Sequence, residues 1–240
     1  MLSAKDIKRI KSLGQKKFRD LEGAFVVEGE KLVREAEQSG FRVLERYSVA
    51  DIGEAAMERI SQLSSPSPVL AVVEKPAAWD KVCADVPAPG LYLALDGIRD
   101  PGNLGTILRT ADWFGISGVF ASADTVELSN PKVVQATMGA IFRVKFALAD
   151  IPALCRATAA SGGVVYGTFM DGANIYKEEL CTGADRPVLI VIGNEANGIS
   201  AETAAAVTRG ISIPAAPTSA MESLNAAIAA AITIAEFRRR

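Results

Sequence analysis

The chain has 240 residues, of which 49% are hydrophobic and 22% charged, a composition for one or two globular domains and not for a disordered or fibrous chain. Its 26 basic and 28 acidic residues nearly cancel, so the net charge of -2 points by itself to no polyanionic partner. There is no histidine, which excludes a Ser-His-Asp triad, a Cys-His pair, a histidine general base and any zinc site built on imidazole.

Residues 1–19 carry Lys5, Lys8, Arg9, Lys11, Lys16, Lys17 and Arg19 against one acid, Asp6. This segment reads either as a solvated helix face or as a nucleic-acid contact, in which case Lys16, Lys17 and Arg19 are the cations that would grip RNA. Strand-like stretches at 24–29, 41–49 and 69–73 alternate with helical spacing at 30–38 and 52–63. Ser64-Ser65-Pro66-Ser67-Pro68 is a loop, and 77–90, rich in proline, is a linker. The chain therefore divides into a small domain at 1–76 and a larger one at 91–240. The larger one opens with a strand at 91–95, a Gly/Pro/Asn loop through Gly105 and a helix at 106–114. Strands at 118–121, 143–148, 164–170 and 211–213 follow, with helices at 132–138, 151–160 and 224–237. The run at 188–192 is apolar throughout, as expected of a strand buried on both faces. Alternation of this kind predicts an α/β fold with a mostly parallel sheet. Cys83, Cys155 and Cys181 are too few and too far apart for a disulfide framework and read as plain core or surface thiols. No apolar run approaches membrane-spanning length and no leader pattern is present, so a soluble cytoplasmic protein with no membrane partner is expected.

Three glycine-bearing loops follow strand candidates, the position at which open α/β sheets bind ligands. None contains a dinucleotide fingerprint or a P-loop, and each alone is an ordinary strand–helix connection. The first runs Asp100-Pro101-Gly102-Asn103-Leu104-Gly105 into Arg109; the second is Gly193-Asn194-Glu195-Ala196-Asn197-Gly198. The third runs from Ile213-Pro214 to Glu222-Ser223-Leu224-Asn225. Together, in this order and spacing, they resemble the three motifs of the SpoU (TrmH-type) RNA ribose methyltransferases of the SPOUT superfamily. The stretch Phe25-Val26-Val27-Glu28-Gly29 is similar to the small substrate-binding domain that precedes the catalytic domain in many members. The chain departs from the common pattern at Ala215, where many members have Met, in a segment between Pro214 and Ser223 about two residues longer, and at Gln135, where some place an arginine.

The resemblance implies a C-terminal trefoil-knotted sheet holding S-adenosylmethionine through Gly193, Ile213 and Leu224, with Thr168 a further contact. Plain core packing is the alternative for Ile213 and Leu224. It implies that Arg109 pairs with the phosphate beside the target ribose and assists removal of the 2′-hydroxyl proton. Asn103, Ser223 and Asn225 would then hold ribose or phosphate, and Glu195 would orient that network or the arginine. A buried structural ion pair between Arg109 and Glu195 is the alternative. The resemblance further implies that no metal is required, that a homodimer completes the pocket, and that ribosomal RNA stands ahead of transfer RNA as substrate. Two other functions stay open: a base-nitrogen RNA methyltransferase of the same fold, and a non-catalytic RNA-binding protein.

Overall fold

A computed structural model describes residues 2–239 and divides the chain into two compact units. The first unit is built from residues up to Trp79 together with Glu127–Arg143, and the second from Asp80–Val126 together with the residues from Val144 onward.

The first unit begins with α1 (Ala4–Ser12), started by Ser3, whose hydroxyl accepts from the Asp6 amide at 3.1 Å. It continues through α2 (Lys16–Glu22), β1 (Ala24–Glu28), α3 (Glu30–Gln38), β2 (Val43–Ser48), α4 (Val49–Ile52), α5 (Glu54–Ile60) and β3 (Val69–Glu74). The helical pattern at 52–63 is broken at Gly53, whose φ of +81° ends α4 and starts α5. The strands form an antiparallel sheet in the order β1-β3-β2. Ile7, Ile10 and Leu13 from α1 and its end, with Met57 and Ile60 from α5, pack on Val26, Leu70 and Val72 of that sheet.

The second unit turns the proline-rich 77–90 stretch to use. After a 3-10 turn at Ala77–Asp80, the two-residue β4 (Val82–Cys83) forms the sheet edge. Then come β5 (Gly90–Asp96), α6 (Pro101–Trp113) and β6 (Gly118–Ala121). The chain passes through α7 (Pro131–Ala136), which packs on β1 in the first unit, before returning to β7 (Phe146–Ala149). The segment 127–143, read from sequence as part of the 91–240 domain, thus belongs structurally to the first unit. The unit ends with α8 (Ile151–Ala160), β8 (Val164–Asn174), β9 (Pro187–Gly193), α9 (Ala201–Ala204), β10 (Arg209–Ser212) and α10 (Ala226–Arg238).

The seven strands run in the order β10-β8-β9-β5-β6-β7-β4, and every pair is parallel. Strand alternation sorts the two faces. Ala94, Val165, Leu189 and Val191 meet Ile151, Leu154 and Cys155 of α8. On the other face Tyr166 stands edge-on to Phe237 of α10 with ring centroids 4.9 Å apart, and α10 packs on α6 and β9. Val188 to Ile192 are all buried; each such aliphatic side chain contributes roughly 1.5–3 kcal/mol relative to exposure. Because all strands are parallel, the loops after β5, β9 and β10 open on the same edge of the sheet.

Candidate active site

The first motif is a helix start rather than a loop. Asp100 caps α6, its Oδ1 accepting from the Asn103 amide at 2.8 Å, and Pro101 occupies the first helical position. The sequence reading ran the loop on to Gly105; a capping acid followed by proline was the available signal. This start fixes where the Asn103 side chain points.

The second motif follows β9. The Asn194 and Gly198 amides each donate to the other residue's carbonyl at 2.9 Å, and Asn194 Nδ2 donates to the Gly97 carbonyl at 2.6 Å. Asn194 Oδ1 accepts from the Ala196 and Asn197 amides, both at 3.0 Å. A Cβ on Gly193 would collide with the backbone of Gly198 and Ile199. The glycine is therefore demanded by closure of this loop on itself, whether or not a ligand also approaches. Asn194, part of the motif but assigned no role from sequence, is the brace.

Glu195 projects from that loop to the start of α6. Its Oε1 accepts from Asn103 Nδ2 at 2.9 Å and from the Asp100 amide at 3.2 Å, and its Oε2 accepts from the Arg99 amide at 3.3 Å. Asn103 Oδ1 in turn accepts from Asn225 Nδ2 at 2.9 Å. Asn225 Oδ1 caps α10, accepting from the Ala227 and Ile228 amides at 2.9 and 3.3 Å. The direction of each amide is fixed from both ends: a carboxylate can only accept and helix N–H groups can only donate. One chain of hydrogen bonds, Glu195–Asn103–Asn225, thereby ties the three motifs together. Burial pushes the Glu195 carboxyl up, but the hydrogen bonds from Asn103 and the backbone amides outweigh it and hold the group below the usual glutamate value. Glu195 is an ionised acceptor.

The remaining candidates lie around this strut. Arg109 is exposed on α6, two turns beyond the helix start. It makes no ion pair with Glu195, so the structural pairing considered for these two does not form. Asn103 is buried, 8% exposed, with both ends of its amide engaged. Ser223 is exposed in the loop before α10. Leu224 is 49% exposed, which removes core packing as its explanation, whereas Ile213 is half-buried. Thr168 Oγ1 donates to the Val191 carbonyl at 3.0 Å, joining β8 to β9. There β8 loses register with β10: Gly210 pairs with Gly167 but Ile211 pairs with Ala173, so 168–172 leave the ladder. Asp96, also unassigned from sequence, accepts from the Ser200 amide at 2.8 Å.

In the first unit the three basic candidates separate. Arg19 is 2% exposed, donates to the Leu13 carbonyl at 2.8 Å and is ion-paired with Glu127. It is a buried structural cation with no access to a phosphate. Lys16 is exposed but lies 2.5 Å from Asp20 and 3.5 Å from Glu127. Lys17 is exposed and carries neither a hydrogen bond nor an ion pair. Among the described residues no cluster of His, Cys, Asp and Glu could hold a metal ion, and no helix is long and apolar enough to cross a membrane.

An open parallel sheet with asparagine- and glycine-bearing loops joined beyond the carboxyl ends of its strands places a candidate binding site at that edge. The chain belongs to the SpoU rRNA methylase family, whose model matches residues 90–235, and residues 4–50 match the MRM3-like substrate-binding domain. It is 40% identical to a solved structure assigned to the TrmH family of RNA methyltransferases from Porphyromonas gingivalis. That match covers 100% of this chain and 99% of the other, with a TM-score of 0.88. It is 31% identical to an AdoMet-bound rRNA methyltransferase from Sinorhizobium meliloti, covering 100% and 97% of the two chains with a TM-score of 0.86. It is also 28% identical to the 23S rRNA (guanosine(2553)-2'-O)-methyltransferase of Bacillus subtilis, over 97% of this chain and 95% of the relative.

Proposed function

We propose that the protein transfers a methyl group from S-adenosylmethionine to a ribose 2′-hydroxyl of RNA, with ribosomal RNA ahead of transfer RNA as substrate. The observation that carries this reading is the Glu195–Asn103–Asn225 chain, which joins all three motifs at one edge of the sheet and leaves Arg109 and Ser223 open to solvent.

The residues present suit the cofactor. β10, β8 and β9 are neighbours; Gly193 ends β9, Ile213 follows β10, Thr168 stands where β8 leaves its ladder with β10, and Leu224 lies in the loop before α10. Met170 in the out-of-ladder part of β8, and Met221 and Leu224 before α10, are 77%, 76% and 49% exposed, uncovered apolar surface on segments that neighbour the second motif or belong to the third. Such surface fits the flat apolar face of an adenine ring. When bound, S-adenosylmethionine supplies an electrophilic methyl group on a cationic sulfonium, so no metal is called for.

The chain's own residues then divide the work. Arg109, with a fork that matches phosphate geometry, holds the phosphate next to the target ribose and stabilises negative charge as the 2′-oxygen loses its proton. Ser223 and Asn225 hold the ribose; Asn225 keeps one amide hydrogen for this after bonding to Asn103. Asn103 and Glu195 act as positioning residues, since the carboxylate and both ends of the buried amide are already engaged. The reading carries with it the trefoil knot of the family, an RNA-binding first unit and a catalytic second unit, and a homodimer. For the dimer, Trp113 at the end of α6, 84% exposed, offers a large uncovered apolar side chain. A cytoplasmic enzyme is expected.

The test is incubation of the protein with S-adenosylmethionine and in-vitro-transcribed ribosomal RNA, followed by nucleoside analysis. Appearance of 2′-O-methyl nucleosides is expected. A methylated base would assign the base-nitrogen class, and RNA binding without cofactor binding would assign a non-catalytic role.

A further inference from the structure

A shallow polar depression of about 120 Å3 lies beside the Glu195 strut, lined by Asp96, Arg99, Asp124, Asn197 and Ser200 among others. Its one cation is Arg99, four residues ahead of Asn103. The Arg99 and Asp100 amides both donate to Glu195, at 3.3 and 3.2 Å, so the backbone that carries this side chain is fixed to the site. The guanidinium is not. Its side chain is 67% exposed, and Nη2 stands 3.5 Å from Asp124 Oδ2, longer than the roughly 2.7–2.9 Å of a strong charge-assisted hydrogen bond.

Asp124, in contrast, is firmly held. Ser122 Oγ donates to its Oδ1 at 2.7 Å, and that serine hydroxyl in turn accepts from the Gly97 amide at 2.8 Å. The Ser122 hydrogen bond holds the Asp124 carboxyl below the usual aspartate value. Gly97 has φ +76°, and a Cβ there would come within 3.1 Å of Asp124 Oδ2. An anchored anion thus faces a loosely held cation. The carboxylates of Asp96 and Asp124 repel any anion from the depression itself, so Arg99 meets a phosphate only by turning outward. A guanidinium gains by this exchange, because a phosphate diester offers it two parallel hydrogen bonds in place of one long contact.

We propose that Arg99 is an RNA-positioning residue that rests on Asp124 in the free protein and transfers to a backbone phosphate of the substrate strand. The inference rests on the RNA methyltransferase reading and adds a phosphate contact separate from that of Arg109. Asp124 is then a parking site whose influence on RNA passes through Arg99.

The experiment is a double-mutant cycle of Arg99→Gln and Asp124→Asn, with Arg99→Lys as the charge-retaining control. In-vitro-transcribed ribosomal RNA is the probe, read by filter binding at several salt concentrations. Arg99→Gln is expected to weaken binding several-fold and to reduce the slope of log K against log salt by about 0.7–0.9, as one lost phosphate contact requires. Arg99→Lys should restore the slope. Asp124→Asn should tighten binding several-fold more in the wild-type background than in the Arg99→Gln background, where only the general loss of a negative charge acts. Steady-state methylation should show KM raised with kcat little changed, and S-adenosylmethionine affinity should be unaltered. An unchanged salt slope in Arg99→Gln, or an Asp124→Asn effect just as large without Arg99, overturns the proposal. Wild-type RNA binding without 2′-O-methyl product would overturn the methyltransferase reading instead, and the salt slopes would still decide the role of Arg99.

Discussion

Arg109 and Glu195 carry opposite charges in the first and second motifs, and their surroundings predict different effects of removing them. Arg109 is exposed and free of ion pairs, so Arg109→Ala should leave stability and cofactor affinity nearly unchanged while removing transition-state stabilisation worth roughly 3–4 kcal/mol, a hundred- to a thousand-fold in rate. Single-turnover methyl transfer checks this; a variant retaining more than about a third of the wild-type rate, a loss under roughly 1 kcal/mol, would contradict the assignment. Glu195 is a structural anion whose folded-state pKa is lowered by Asn103 and the backbone amides against the opposing effect of burial. A group of this kind contributes stability that is fully present above its unfolded pKa, near 4.3, and is lost as pH falls through the lower folded value. Glu195→Gln keeps one oxygen for Asn103 and the Asp100 amide but turns an NH2 toward the Arg99 amide, a donor against a donor. It should cost about 1–2 kcal/mol, the lower part of the range for an unsatisfied polar group because this side chain is partly open to water. Urea unfolding of wild type and Glu195→Gln from pH 7 to pH 3 should show a constant gap at neutral pH that closes below about pH 4.

At the scale of elements, the sequence foretold most strands and helices because both units alternate hydrophobic patterns of the right period. What it concealed was local backbone logic. Asp100-Pro101 begins α6 a full turn before the helical periodicity becomes visible, since a capping turn is polar and carries no apolar stripe. The two-residue β4 is too short to carry a pattern. Motif spacing identified Asn103, Glu195 and Asn225, but their linkage could be seen only once the three loops met. The basic N-terminus misled for a related reason: charge is visible in sequence, and its burial is not. Arg19 looks equal to Lys17 yet is enclosed by Leu13 and Glu127. Arg19→Ala should therefore destabilise the first unit by roughly 3–5 kcal/mol, the cost of breaking a buried pair, without lowering the salt slope of RNA binding in the folded fraction. Lys17→Ala should do the reverse, leaving the unfolding midpoint in place and lowering the slope by about 0.7–0.9 if this face contacts RNA. Denaturation curves and salt titrations on both variants separate the two roles.

For the whole molecule, the proposed dimer gives a test that does not depend on activity. Of the two tryptophans, Trp79 is 8% exposed and packs against Phe25 and Phe41 with centroids 5.4 and 5.6 Å away, while Trp113 is 84% exposed. If a second copy covers α6 and α10, Trp113→Glu should convert the protein to a monomer in sedimentation velocity and abolish methyl transfer, with the urea midpoint of the first unit unmoved. A dimer that survives Trp113→Glu would place the interface elsewhere. The chain also sets an order for its own synthesis, because the first unit is assembled from two separate stretches. When residue 79 leaves the ribosome, Arg19 lacks Glu127, Phe41 lacks the edge-on Phe142 ring 5.1 Å away, and Glu35 lacks Arg143 at 2.5 Å. All three partners arrive only after the first strands of the other unit have been made, a delay of several seconds at about 5–20 residues per second. The part translated first is thus completed late, and a fragment ending at Trp79 should remain loosely folded until a peptide spanning 127–143 is supplied to it.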